Sequence, residues 1–222
     1  MKNDFDFLLA SCIHDMKNAI SLIMNSIDHL NEDCKKDTRK HLANLNYEAS
    51  RLNNDLIHLL GVYRLQKDHL HVVIDEHDIW EIINEQHLKN QPLLQKYNLE
   101  LTINGEEEEM WYFDPDLVAS IINNIIVNTV RYTNSKIQIN IKHENDYLCV
   151  EICDDGKGYP KEMMQNPGQK SDSIDFRSGS TKLGLYFASQ IAEMHKNRDR
   201  TGYIELRNGG ELGGGIFRLL LP

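Results

Sequence analysis

The chain has 222 residues and a formal net charge of -10, with 41% hydrophobic and 26% charged residues. That is the composition of a globular protein with room for one large or two small domains. The acidic excess excludes the broad basic face of a nucleic-acid binder, and no run reaches the roughly 18 apolar residues that span a bilayer.

Met1 to Asp6 is acidic and lacks the basic-then-apolar order of a signal peptide, which predicts a cytoplasmic protein. Heptads follow. Ile13, Met16, Ile20, Ile23, Ile27 and Leu30 recur at alternating steps of three and four. After the polar stretch 31–38 the pattern restarts with Leu42, Leu45, Ala49, Leu52, Leu56, Leu59 and Tyr63. This is the seam of a left-handed helical bundle, and the short polar link predicts a hairpin. One hairpin leaves its seam half covered. A second copy closes it into a four-helix bundle across a two-fold axis, or the hairpin packs on the C-terminal part of its own chain.

From about residue 68 the pattern changes. Residues 71–74 and 99–103 read as short strands, and 79–95 as a helix containing or ending near Pro92. Asp114 and Pro115 open a second helix that runs to about Tyr132, Pro115 sitting where a missing amide is harmless. Residues 137–141 and 147–153 alternate and predict a hairpin turning at 144–146. Residues 183–195 form a helix, and 202–206 and 215–221 are closing strands joined through a glycine-rich turn. Glu106 to Glu109 reads as a solvated loop. Strands mixed with separate helices predict an α+β sandwich over residues 68–222, following a helical domain over residues 1–67. Cys12, Cys34, Cys149 and Cys153 lack CxxC spacing and are expected as reduced thiols.

Three segments of the second part carry chemistry. Asn124 and Asn128 are four apart and share a helix face. An amide oxygen completes the shell of Mg²⁺, which prefers oxygen ligands. Arg131 lies on the same side and suits phosphate; Tyr132 suits a base or ribose. Asn is a middling helix former, so Asn123, Asn124 and Asn128 inside an apolar helix need a reason. Next, Asp154 ends a strand and is followed by Gly156 and Gly158, which let backbone approach a ligand; a carboxylate there accepts the exocyclic amine of adenine. Last, small residues from Ser178 to Thr181 precede the helix at Leu183, making an anion site from free amides. The polar stretch 166–177 before it suits a lid.

In this order the three segments resemble the N, G1 and G2 boxes of the ATP-binding domain of bacterial sensor histidine kinases, the Bergerat-type fold shared with gyrase B and Hsp90. Upstream, Ser11 to Ile20 resembles the H-box of their dimerisation and phosphotransfer domain, and Ala49 to Arg64 its second helix. The resemblance covers nearly the whole chain. It implies ATP and Mg²⁺ as ligands, with Asn128 holding Mg²⁺ and Asn124 beside it at the phosphates. Arg131 and Tyr132 would contact the nucleotide, Asp154 the adenine amine, Gly156 and Gly158 the pocket floor, and Gly184 the phosphates. It makes His14 the phosphoacceptor, Asp15 its orienting group or base, and Asn18 the residue that positions water for dephosphorylating a partner. The implied partners are a second copy, giving a homodimer, and the receiver domain of a response regulator.

His14 also has a case of its own. It follows seam residue Ile13 and reaches solvent, and imidazole is neutral and nucleophilic near pH 7. It stands close to the start of the sequence, so the input comes through a separate sensor protein or from a longer receptor of which this is the core. Lys182 stands where the family's G2 box has its first glycine; it either strengthens phosphate binding or intrudes on it. The alternatives are a degenerate dimer that transfers phosphate or acts as a scaffold without using ATP, and a serine kinase, which would need neither His14 nor the heptads.

Overall fold

The computed structural model describes residues 71–106, 108–165, 167–168 and 179–222, with isolated positions Met16, Asn18, Ala19, Leu22, Ile23 and Gly61. The expected helical hairpin, His14 and Asp15 lie outside the described residues. Met16, Asn18, Ala19, Leu22 and Ile23 are helical, with Asn18 exposed and Ala19 buried. The chain divides into Met1–Leu70 with Ser171–Gly184, and His71–Lys170 with Leu185–Pro222. The second unit holds the sheet. No described helix is long and apolar enough to cross a membrane.

The elements are β1 (Asp75–Asp78), α1 (Ile79–Lys96), β2 (Glu100–Asn104), β3 (Met110–Phe113), α2 (Pro115–Val130), β4 (Lys136–Glu144), β5 (Tyr147–Asp154), α3 (Lys161–Gln165), α4 (Gly179–Met194), β6 (Lys196–Asn197), β7 (Arg200–Thr201), β8 (Tyr203–Asn208) and β9 (Gly215–Leu221). Helices α1 and α2 both start on an aspartate. Asp78 Oδ1 accepts from the Trp80 amide at 2.9 Å, and Asp114 Oδ1 from the Leu117 amide at 3.0 Å. Each satisfies an amide that the first helical turn leaves open. Asp114 Oδ2 also accepts from the Val73 amide at 2.9 Å. That bond takes a donor out of any ladder, so the strand expected at residues 71–74 forms instead at Asp75–Asp78, against β3.

Five strands make a mixed sheet in the order β2-β4-β5-β9-β8. β2 and β4 are parallel and the remaining pairs antiparallel. The register aligns Ile139, Ile152, Phe217 and Leu206 across four strands, with Ile141, Val150, Leu219 and Ile204 in the next row. All eight are buried. The period-two alternation puts them on one face, where α1 and α2 supply Ile79, Ile83, Ile121, Ile122, Ile125 and Ile126. A fully buried side chain of this size contributes about 1.5–3 kcal/mol, so this shared layer is what holds sheet and helices together.

The opposite face is polar and centred on Arg218, which is 2% exposed. Its Nε donates to Glu151 Oε1 at 3.0 Å and its Nη1 to Glu205 Oε2 at 2.5 Å, while Nη2 donates to Glu144. Three carboxylates offset the desolvation of one guanidinium, which is the condition under which a buried cation is tolerated. Cys149 and Cys153 lie on this face as free buried thiols, pushed up to about 11 chiefly by burial.

His195, 1% exposed, follows α4 and joins it to the start of α2. Its Nε2 accepts the Asp114 amide at 3.0 Å, and its Nδ1 donates to Ile191 O at 2.8 Å. Only the neutral ring can do both. Burial lowers its pKa below the ordinary 6.5, outweighing the Ile191 bond and the Asp114 charge, which raise it. The unfolded chain therefore binds the proton first, and stability is full above about 6.5 and declines as pH falls below it. In urea titrations of the purified chain, this decline should be smaller in His195→Gln than in the wild type.

Candidate nucleotide site

The last turns of α2, the end of β5 and the loop between β8 and β9 meet at one end of the sheet. Asn124 and Asn128 lie on the buried side of α2, 5% and 9% exposed. Asn128 Nδ2 donates to Asn124 Oδ1 at 2.9 Å, as the four-residue spacing requires. This bond leaves two atoms without partners among the described residues. Asn124 Nδ2 is fully buried and donates to nothing. Asn128 Oδ1 accepts no hydrogen bond among the described residues, its Nδ2 being the atom turned to Asn124. A buried donor without an acceptor costs about 1–3 kcal/mol, so it marks a place where an acceptor belongs. Asn123 is different. Its Oδ1 accepts from Asn90 Nδ2 at 2.9 Å, and Asn90 also donates to Gln86 O at 2.8 Å. It ties α2 to α1.

Asp154 closes the other side and is 6% exposed. It belongs to the apolar face of the sheet, opposite Ile137. Its Oδ1 accepts from the amides of Gly156 at 2.7 Å and Gly215 at 3.2 Å. Its carbonyl accepts from the Gly214 amide at 3.1 Å. Oδ2 accepts nothing among the described residues, so one carboxylate oxygen is held and the other is available to a donor. Gly156 sits so close to the end of α2 that a Cβ there would lie 2.1 Å from Tyr132 O. Gly158 has φ +76, and a Cβ on it would lie 2.6 Å from Asn208 Oδ1. Both glycines are required by close approach of the surrounding chain.

Arg131 and Tyr132 follow α2 at the rim, both exposed, with the Arg131 guanidinium 5.7 Å from the Tyr132 ring centre. Asp155, which stands beside Asp154, faces away from the site. It accepts from Ser135 Oγ at 2.6 Å and from the amides of Asn134 at 2.8 Å and Ser135 at 3.0 Å. Burial raises its pKa, but these hydrogen bonds prevail and hold it at about 2. Its role is to fasten the turn between α2 and β4. Lys182 lies in the first turn of α4, where only the backbone is described, and Gly184 lies in the next turn of that helix.

Some contributors had not been expected. Asn208 clamps the backbone of Tyr159, accepting from its amide at 2.7 Å and donating to its carbonyl at 2.8 Å. Gly214 and Gly215 touch Asp154 directly. The glycine richness of residues 209–215 was the available signal, but as a turn it did not point to a carboxylate 60 residues upstream.

Residues 113–222 match the family described as histidine kinase-, DNA gyrase B-, and HSP90-like ATPase. Sensor protein SrrB of Staphylococcus aureus is 26% identical over 232 residues, covering 100% of this chain and 38% of the relative. Residues 113–222 therefore form an ATPase domain of that family, and the chain over its whole length is similar to this sensor protein. The chain spans about two fifths of the length of the curated relatives it matches. Among solved structures, the Acinetobacter baumannii histidine kinase AdeS has the same fold, with a TM-score of 0.63 and 17% identity over 94% of this chain and 96% of that one. The catalytic domain of histidine kinase ThkA matches with a TM-score of 0.56 and 21% identity, over 68% of this chain and 96% of that one. The end of the sheet just described is the candidate place for the ATP that domains of this family bind. Its unengaged atoms fit that ligand. Asn124 Nδ2 offers a donor and Asn128 Oδ1 a neutral oxygen, together suiting a phosphate and its Mg²⁺, while Asp154 Oδ2 suits an exocyclic amine.

Proposed function

We propose that the chain is a homodimeric, cytoplasmic histidine kinase core that moves the γ-phosphoryl group of ATP to His14 and then to an aspartate of a response-regulator receiver domain. The observation that carries this reading is the buried, unpartnered Nδ2 of Asn124 beside the free Oδ1 of Asn128. Asp154 Oδ2 receives the adenine amine, and Asn124, with Arg131 at the rim, binds phosphate oxygens. Gly156 and Gly158 shape the floor. Lys182 and Gly184 stand where the family's phosphate loop meets its helix. Asn128 Oδ1 holds Mg²⁺, which when bound neutralises phosphate charge.

The domains divide at about residue 67, with residues 1–67 dimerising and carrying the phosphoacceptor and residues 68–222 binding ATP. His14 Nε2 attacks the γ-phosphorus as the bond to the bridging oxygen breaks and ADP leaves, and Asp15 takes the imidazole proton. Little covalent work falls to the protein, so positioning and charge supply most of the acceleration. Asn18 orients water when phosphate is removed from the regulator, a role that its exposed position on a helix supports. A separate sensor protein or a preceding receptor segment supplies the signal.

The rival is a dimer that transfers phosphate or scaffolds without using ATP, favoured by Lys182 in a glycine position. Incubation with γ-labelled ATP and Mg²⁺ separates them. Acid-labile, base-stable label should appear on the wild type and be lost from both His14→Gln and Asn128→Ala, with ADP affinity kept in His14→Gln. Absence of label together with absence of nucleotide binding by calorimetry rejects the kinase reading.

A further inference from the structure

The site contains an aromatic ring that the phosphate and amine contacts do not use. Tyr159 follows the second glycine of the Asp154 turn, and its main chain is held at two points by the Asn208 side chain. The direction of its side chain is therefore set by the fold rather than by a ligand. Gly215 shows where the ring goes. A Cβ on Gly215 would lie 2.8 Å from Asp154 Oδ2, 3.0 Å from Tyr159 Cε2 and 3.2 Å from Tyr159 Cδ2. The ring edge and the free carboxylate oxygen thus share the space that a side chain at position 215 would fill. Contacts under 3.0 Å do not occur at real side chains, so any residue larger than glycine there displaces the ring, the carboxylate or both.

We propose that Tyr159 forms the wall beside the free oxygen of Asp154, admitted by the empty side-chain position of Gly215, and that this pair restricts the site to bases whose exocyclic amine is unsubstituted. The proposal rests on the reading of Asp154 as the adenine acceptor and adds a steric limit to it. Further observations agree with this placement. Tyr159 is half-buried, and its hydroxyl has no hydrogen-bond partner among the described residues. Its phenol is pushed up, first by burial and then by the neighbouring charges of Asp154, Cys153 and Tyr132. It remains a neutral, apolar-edged surface at any physiological pH. Tyr132 and Tyr159 both neighbour Asp154, one from the end of α2 and one from the loop after β5. A purine amine directed at Asp154 Oδ2 would carry any substituent toward the Tyr159 edge.

The test compares ADP with an ADP analogue bearing a benzyl group on the exocyclic amine. Both are titrated by calorimetry into the full chain, into Tyr159→Ala and into Tyr159→Phe. A wall of this kind discriminates by about 10–200-fold. The wild type and Tyr159→Phe should therefore prefer ADP by at least about tenfold, and Tyr159→Ala should lose most of that preference by gaining affinity for the analogue. Tyr159→Leu, which keeps more of the packing, reads the same ratio should alanine unfold the chain. If the truncated variants bind both ligands with the wild-type ratio, the wall is wrong while the adenine reading stands. If the wild type binds neither ligand, the adenine reading itself falls. A purely structural Tyr159 would lower the unfolding midpoint and weaken both ligands alike.

Discussion

Asp154→Asn should weaken ADP binding by about 10–100-fold, the cost of one unmade hydrogen bond at a desolvated site, while leaving the fold intact. The argument depends on which oxygen is held. Oδ1 accepts from two backbone amides, Gly156 at 2.7 Å and Gly215 at 3.2 Å. Those donors are fixed by the turn and by β9, so the substituted amide must keep its oxygen toward them. Its NH₂ group then occupies the place of Oδ2 and faces the adenine amine donor to donor. The base preference should move accordingly. A purine with a keto oxygen in place of the amine accepts from that NH₂, so inosine diphosphate should bind the variant at least as well as ADP, and the wild type much less well. The two retained amide bonds predict an unfolding midpoint within a few degrees of the wild type. Calorimetry with both diphosphates on both proteins decides it. An unchanged ADP-to-inosine preference would remove Asp154 from base recognition.

The parts of this site that were legible in sequence are those set by local spacing. The asparagine pair follows from a four-residue step on a helix, and that helix starts at Pro115 because Asp114 caps it. The sheet followed from clean alternation in residues 137–141 and 147–153. Legibility stopped where position depends on tertiary contact. Asn123 looked like Asn124 and Asn128 in sequence, yet its partner is Asn90 on another helix. β3 was missed because its exposed positions, Met110 and Tyr112, are apolar and erase the alternation that marks a strand. Asp155 stood next to Asp154 with the same chemistry. Only the turn at Asn134 and Ser135 shows that it fastens structure rather than ligand. Asn208, Gly214 and Gly215 reach the site through the pairing of β8 with β9 and of β9 with β5, which composition does not reveal.

The glycine-rich loop gives the second large effect, and it separates two reasons for a glycine. Gly213 has φ +80 with nothing within 4 Å of a Cβ. Its substitution by Asn, which tolerates the left-handed region, should change the unfolding midpoint by only a degree or two. Gly214 is the reverse case. No positive φ constrains it, but a Cβ would lie 2.3 Å from Asp154 O, 2.5 Å from Asp154 Oδ1 and 2.6 Å from the Gly156 amide nitrogen. Two of those atoms are main chain and the third is pinned by two amides, so none can swing away as a flexible side chain would. The Gly214 amide also donates to Asp154 O at 3.1 Å, and that bond must lengthen if the chains separate. Overpacking of this kind costs about 1–3 kcal/mol, and a lost buried bond adds about 1 kcal/mol. Gly214→Ala should therefore lower the unfolding midpoint by roughly 5–15 °C, given about 2–4 °C per kcal/mol in a chain of this size. Because the displaced atoms are those that orient Asp154, ADP binding should fall further than in Asp154→Asn, and without a shift toward inosine diphosphate. A Gly214→Ala protein that melts with the wild type would show that β9 does not seat against the Asp154 turn, and would undo the site on which the nucleotide reading depends.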